Sequence, residues 1–281
     1  MSLLIALAIA AAPVQVVGMP EPILLGSSFA IASTPLHENR TVNVVLPFGY
    51  GKDPAKRYTV IYVIDGGVEQ DLLSIAAVAR NGGMWGRSAE AILVGIETKD
   101  RRKELVGPTR DPELLKKYPT AGSSAAFRAF IRHEVKPFVE RGYRTNGRDI
   151  VVGESLAGLF IVETYMTEPA LFGGYGAIDP SLWWDKEALS KLAAKQIGER
   201  QEGHPLYLAI AKETSEEPAA VNRVISAIPS GAQALCFNTR ADLTHATIYQ
   251  QLAPQMLQFL LPPAEPAPPE FGFEVTCSKR S

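Results

Sequence analysis

Apolar positions along the chain fall into short continuous runs separated by longer stretches with helical spacing. "SSFAIAS" at 27–33 and "RTVNVVLP" at 40–47 flank the polar "TPLHEN" and predict an antiparallel strand pair. "YTVIYVIDGG" at 58–67 is nearly all apolar up to its Asp-Gly-Gly end. A strand covered on both faces has that character, because neither row of side chains meets water. "EAILVGIE" (90–97), "RDIVVGES" (148–155), "GYGAID" (174–179), "PLYLAIA" (205–211) and "GAQALCFNT" (231–239) predict further strands. Between them, "AAFRAFIRHEVKPFVERGY" (125–143) repeats Phe127, Phe130, Ile131, Glu134, Val135 and Phe138 at i, i+3, i+4 spacing, apolar at all but Glu134. "LAGLFIVETYMTEP" (156–169) predicts a helix stopped by Pro169, and "IYQQLAPQMLQFLL" (248–261) a last helix with a kink or an interrupted turn at Pro254.

Strands that alternate with crossover helices form a mainly parallel sheet with helices on both faces. The early antiparallel pair makes that sheet mixed, so the expected class is α/β. No internal repeat is visible. Residues 19–261 read as one domain and 262–281 as a tail that opens Pro-rich, a linker or extended surface arm. Residues 1–18 read as a signal peptide, from an apolar run Leu3 to Ala12 closed by small residues and Pro13. That run is too short to span a bilayer, so the mature chain is expected to be exported, periplasmic or secreted, without a stable membrane span. Against this, the run has no Lys or Arg ahead of it.

A net charge of −2 over 281 residues and the lack of a basic stripe with interleaved aromatics argue against a nucleic-acid partner. The two cysteines, Cys236 and Cys277, are too few and too far apart for a zinc cluster. In an oxidising compartment they can pair and pin the tail to the body; otherwise Cys236 reads as a buried thiol in an apolar strand.

The chemistry concentrates in "DIVVGESLAGLF" at 149–160. Gly153-Glu154-Ser155-Leu156-Ala157 places a serine between small residues, with a strand before it and a helix after it. A nucleophile on such a turn needs small neighbours two residues away, because the backbone folds back on itself. An ordinary helix N-cap serine is the plainer alternative. A serine hydroxyl needs a base. Of the four histidines, His37, His133 and His204 read as surface residues. His245 lies between the last strand and the last helix, where a base following the nucleophile and acid in chain order would stand. The orienting acid is open. Glu213 is the first choice at the end of "PLYLAIAKETSEE", with Glu216 and Glu217 beside it. Asp179, one strand earlier, is the rival, and a Ser–His pair without a carboxylate is a third possibility. Backbone N–H groups of Leu156 and of Gly67 or Val68, in the loop after the Asp65-Gly66-Gly67 turn, are the oxyanion candidates.

In order along residues 27–261, these segments resemble the esterase-D-like, or "putative esterase", family of α/β hydrolases, and particularly its bacterial siderophore (enterobactin-type) esterase branch. "LHENRTVNVVLPFGY", "YTVIYVIDGG", "ILVGIETKDRRKELVGPTR", "FIRHEVKPFVERGYRT", "VVGESLAGLF" and "LFGGYGAIDPSLWWD" carry the likeness. The resemblance implies an α/β-hydrolase fold, with Ser155 as nucleophile and His245 as base, and no metal or organic cofactor. The chain departs from the family at Glu154, where His is common, at Asp179, where Ser is usual, and over "AIAKETSEE". Trp183 and Trp184 follow the Asp179 strand and are candidate pocket walls. Arg101, Arg102 and Arg110 could meet an anionic substrate, though solvated side chains are the simpler reading. The expected function is a serine carboxylester hydrolase acting through an acyl-enzyme on a small ester, siderophore-type or other. An acyltransferase of the same fold, or a binding protein retaining a hydrolase fold, are the alternatives.

Overall fold

A computed structural model describes residues 18–198, 204–216, 218–229, 235–265, 268–272, 275 and 277. The expected signal peptide therefore lies outside the described residues except for Gly18, as does Glu217. Eight strands form one sheet in the order β1-β2-β4-β3-β5-β6-β7-β8. They are β1 Ser27–Ser33, β2 Glu38–Val45, β3 Tyr58–Ile64, β4 Ala91–Ile96, β5 Thr145–Glu154, β6 Tyr175–Ile178, β7 Leu206–Ala211 and β8 Leu235–Arg240. β2 runs antiparallel to both β1 and β4. Every other pairing is parallel. The mixed, mostly parallel sheet is thus the one the apolar runs predict.

Strand alternation sorts the core into two layers. Val151 faces the side of helix α2, Leu156–Thr167, and packs with Phe127, Phe130 and Phe160. Ile150 and Val152 face the opposite side, against α1, Leu72–Met84, and α3, His245–Leu260. α2 is buried almost all round, which explains why its sequence carries no polar stripe. The long helical stretch expected at 125–143 is present as Ser124–Phe130 and Lys136–Gly142, joined by a π-helical turn at Ile131–Val135. The expected last helix is α3, which carries Pro254 in its interior.

Cys236, buried on β8, forms a disulfide with Cys277. Phe271 of the tail packs on Trp85, their ring centroids 5.6 Å apart, and Val275 rests on the α1/α3 layer. The tail is therefore an arm fastened to the body. Among the described residues no helix is long and apolar enough to cross a membrane.

Candidate active site

Ser155 stands where β5 turns into α2, at φ 60° and ψ −119°. A positive φ is costly for a residue with a Cβ and persists only where the surroundings enforce it. Here they do: Ser155 N–H donates to Ile178 O at 3.1 Å, and Ser155 O accepts from Ser181 N at 3.0 Å and from Leu159 N at 2.9 Å. The turn also needs the glycine before it. A Cβ on Gly153 would come within 2.7 Å of the Ala157 Cβ, closer than carbon atoms pack. Ser155 Oγ lies 3.3 Å from Ser181 Oγ.

Asp179, the residue after β6, is also left-handed, at φ 42°. Its N–H donates to Ala209 O at 2.7 Å. Its Oδ1 accepts from Ala211 N at 2.9 Å, and its Oδ2 is 2.6 Å from His245 Nδ1. The carboxylate side chain is 2% exposed and the imidazole 47%. Burial works against the Asp179 charge, but hydrogen bonds from His245, the Ala211 N–H and Thr214 outweigh it and hold the carboxyl below its usual range. That same hydrogen bond to Asp179 holds the His245 imidazolium above the ordinary histidine range, against the effect of burial.

The group on the imidazole is therefore Asp179 and not Glu213, the first choice from sequence. Glu213 lies in the short helix Lys212–Glu216 that follows β7, and its Oε2 accepts from the backbone N–H of His245 at 3.1 Å. It fastens the start of α3 instead of orienting the ring. Glu216 is exposed. His37 and His133 are exposed, and His204 sits against Tyr175 with ring centroids 6.3 Å apart. A pocket of about 440 Å³ brings Ser155, Asp179, Ser181, Trp183, Glu213 and His245 together.

The loop after β3 is built around Asp65. This residue is left-handed at φ 58° and 5% exposed, and it binds Arg101 Nε at 2.9 Å and the Thr98 hydroxyl. A Cβ on Gly66 would meet the Gly95 Cα at 2.3 Å, so only glycine lets the loop lie this close to β4. Gly67 N–H, one of the oxyanion candidates, donates to Gln70 Oε1 at 2.9 Å. That engagement removes Gly67 from the set and leaves Val68 as the loop's candidate. Leu156 is the first residue of α2, where a backbone N–H has no partner within its own helix.

The two tryptophans separate. Trp183 is 62% exposed and lines the pocket, whereas Trp184 is buried against Tyr118 with ring centroids 5.7 Å apart. Trp184 is therefore core and not a wall. Of the arginines considered, Arg101 is tied to Asp65, Arg102 stacks on the Tyr118 ring, and Arg110 is exposed. Among the described residues no cluster of three or more His, Cys, Asp or Glu could hold a metal ion.

Strand order, the strand–serine–helix turn and the Asp–His pair at the carboxyl edge of the sheet define an α/β-hydrolase fold. Solved structures agree. An IroE-like serine hydrolase from Shewanella oneidensis superposes with a TM-score of 0.73 at 23% identity, over 84% of this chain and 80% of that one. The enterobactin esterase FES from Shigella flexneri superposes with a TM-score of 0.69 at 19% identity, over 85% of this chain and 60% of that one.

The chain belongs to the family described as "Putative esterase", whose model matches residues 33–244. Among curated proteins it is similar to the ferri-bacillibactin esterase BesA of Bacillus subtilis (strain 168), at 29% identity over 174 residues. That match covers 55% of this chain and spans 58% of the length of BesA. The likeness is thus to the siderophore-esterase branch.

Proposed function

We propose that the protein is a serine carboxylester hydrolase. The observation that carries the reading is the 2.6 Å contact between Asp179 and His245 Nδ1, in the pocket that Ser155 also lines. An imidazole held at Nδ1 by a buried carboxylate keeps Nε2 free to accept a proton, the tautomer a general base needs. In this reading the strand-to-helix turn at Ser155 is a nucleophile elbow. Ser155 Oγ leaves Ser181 and attacks the ester carbonyl as His245 takes its proton. The N–H groups of Leu156 and Val68 stabilise the oxyanion. His245 returns the proton to the leaving alcohol. It then deprotonates the water that cleaves the acyl-enzyme, releasing the acid and free Ser155.

Siderophore lactones and short aryl esters are the substrate classes to screen, because BesA is a ferri-bacillibactin esterase and FES an enterobactin esterase. The exposed Trp183 indole offers a flat apolar wall for an aromatic acyl group. Export belongs to the same reading: the apolar run at 3–12 and the Cys236–Cys277 disulfide both suit an oxidising compartment. Treatment with a fluorophosphonate, followed by intact-mass and peptide mapping, tests the proposal. One adduct on Ser155, absent from Ser155→Ala, is expected. Folded protein that takes no adduct would overturn it.

A further inference from the structure

Below the turn, on the side away from α2, lies a group of polar side chains that the mechanism above does not use. Glu154 is the last residue of β5 and, by strand alternation, shares the face of Ile150 and Val152, toward α1 and α3. Its Oε1 is buried without a hydrogen-bond partner. The Tyr249 hydroxyl is also buried and unpartnered. It lies one turn along α3 from His245, on the same helix face. Asp71 stands at the N-cap of α1, but its side chain makes no capping bond to the helix. Buried polar atoms are nearly always paired, so an unpaired carboxyl oxygen directly behind a reactive serine calls for an explanation.

We propose that Glu154 is a positioning residue that acts through His245, its carboxylate stabilising the imidazolium that forms when Ser155 gives up its proton. This inference rests on the serine-hydrolase reading above. The charges facing the group come from every element around it. His245 at the start of α3 and Arg101 favour its ionised form, and Asp71 ahead of α1 and Asp179 after β6 oppose it. Tyr249 adds its hydroxyl from α3, where Asp65 is also felt, and Glu213 acts on His245 from the β7 side.

Burial, reinforced by Asp71 and Asp179, raises the Glu154 carboxyl to about 7, so it changes charge in the range where the protein would work. Asp71 is likewise raised by burial and by Asp65, to about 6. The ionised Glu154 in turn contributes to holding a proton on His245. Among the carboxyls that act on this imidazole, Asp179 does so by direct contact at all working pH values, and Glu154 through space and only when ionised.

The test is the rate of fluorophosphonate labelling of Ser155 against pH, for the wild type, Glu154→Gln, Glu154→Ala and Glu154→Asp. Labelling needs a neutral His245, so each profile has an acid limb. Removing the Glu154 charge should move that limb down by about half a pH unit, the size that water-like screening allows for charges several ångströms apart. The plateau rate should fall a few-fold. Gln and Ala should behave alike, since Oε1 has no hydrogen bond to lose, and Asp should restore most of the wild-type limb. Acid limbs unmoved in Gln and Ala, with the wild type labelling normally, would overturn the role of Glu154 alone. A wild type that is folded and unlabelled would overturn the hydrolase reading, and this inference with it.

Discussion

Asp179 and Glu154 end or follow neighbouring parallel strands, both act on His245, and both are largely withdrawn from water. Their states are opposite. Asp179 receives hydrogen bonds from His245, the Ala211 N–H and Thr214, and its carboxyl is held below the usual range despite burial. Glu154 has an oxygen with no donor at all, and burial takes it up to about 7. Burial raises the pKa of any carboxyl; the donors supplied locally decide whether that rise survives. The side of the turn that holds the imidazole is fully bonded. The side behind it is left electrically soft.

The largest effect that would break this contrast is on Asp179. Asp179→Asn removes the carboxylate from Nδ1 and should lower turnover of an aryl ester by about 10³–10⁴-fold, whereas Glu213→Gln should cost no more than about threefold. Steady-state kinetics on the two variants decide the matter. Equal losses would put Glu213 back beside the ring.

A smaller effect concerns stability. The Glu154 carboxyl is raised from 4.5 to about 7 by folding, so the folded state prefers it protonated. The wild type therefore loses stability as pH rises from about 4.5 to about 7, and the loss persists above that range. Glu154→Gln cannot ionise and escapes it. Denaturant melts should show the variant more stable by about 1–2 kcal/mol at pH 8, a figure discounted for partial exposure, and little different at pH 5. A gain of the same size at both pH values would mean packing and not charge.

The smallest effect is at Tyr249. Its hydroxyl is buried without a partner, so Tyr249→Phe should be neutral or stabilising by up to about 1 kcal/mol in the same melts. A clear loss of stability would show that the hydroxyl is bonded in solution.

Much of the fold was legible because a parallel sheet buried on both faces writes itself as continuous apolar runs, and each run has its strand. Ser155 and His245 could be singled out for the same reason, since each lies at the junction of two readable elements. Asp179 lost its place to Glu213 because chain order pointed to the strand before the last. What decided the geometry was the backbone. Asp179 adopts a left-handed turn directly at its strand end, a conformation short polar side chains tolerate, and this aims a short carboxylate at the ring. Glu213 instead enters a helix and reaches only the His245 backbone.

The Asp-Pro pair at 179–180 was the available signal. Trp183 and Trp184 are adjacent and chemically alike, so only packing could separate them. The grouping of Asp71, Glu154 and Tyr249 was hidden because its members come from three elements far apart in the chain.

The bond between Cys236 and Cys277 closes a covalent ring from β8 through α3 to the tail. His245 lies inside that ring. A protease that cuts anywhere between the two cysteines would therefore release no fragment: the nicked protein would migrate as one species without reductant and as two with it. After one cut His245 would stay joined to the body by the path that remains, through β8 when the cut lies in the tail and through Cys277 when it lies before His245.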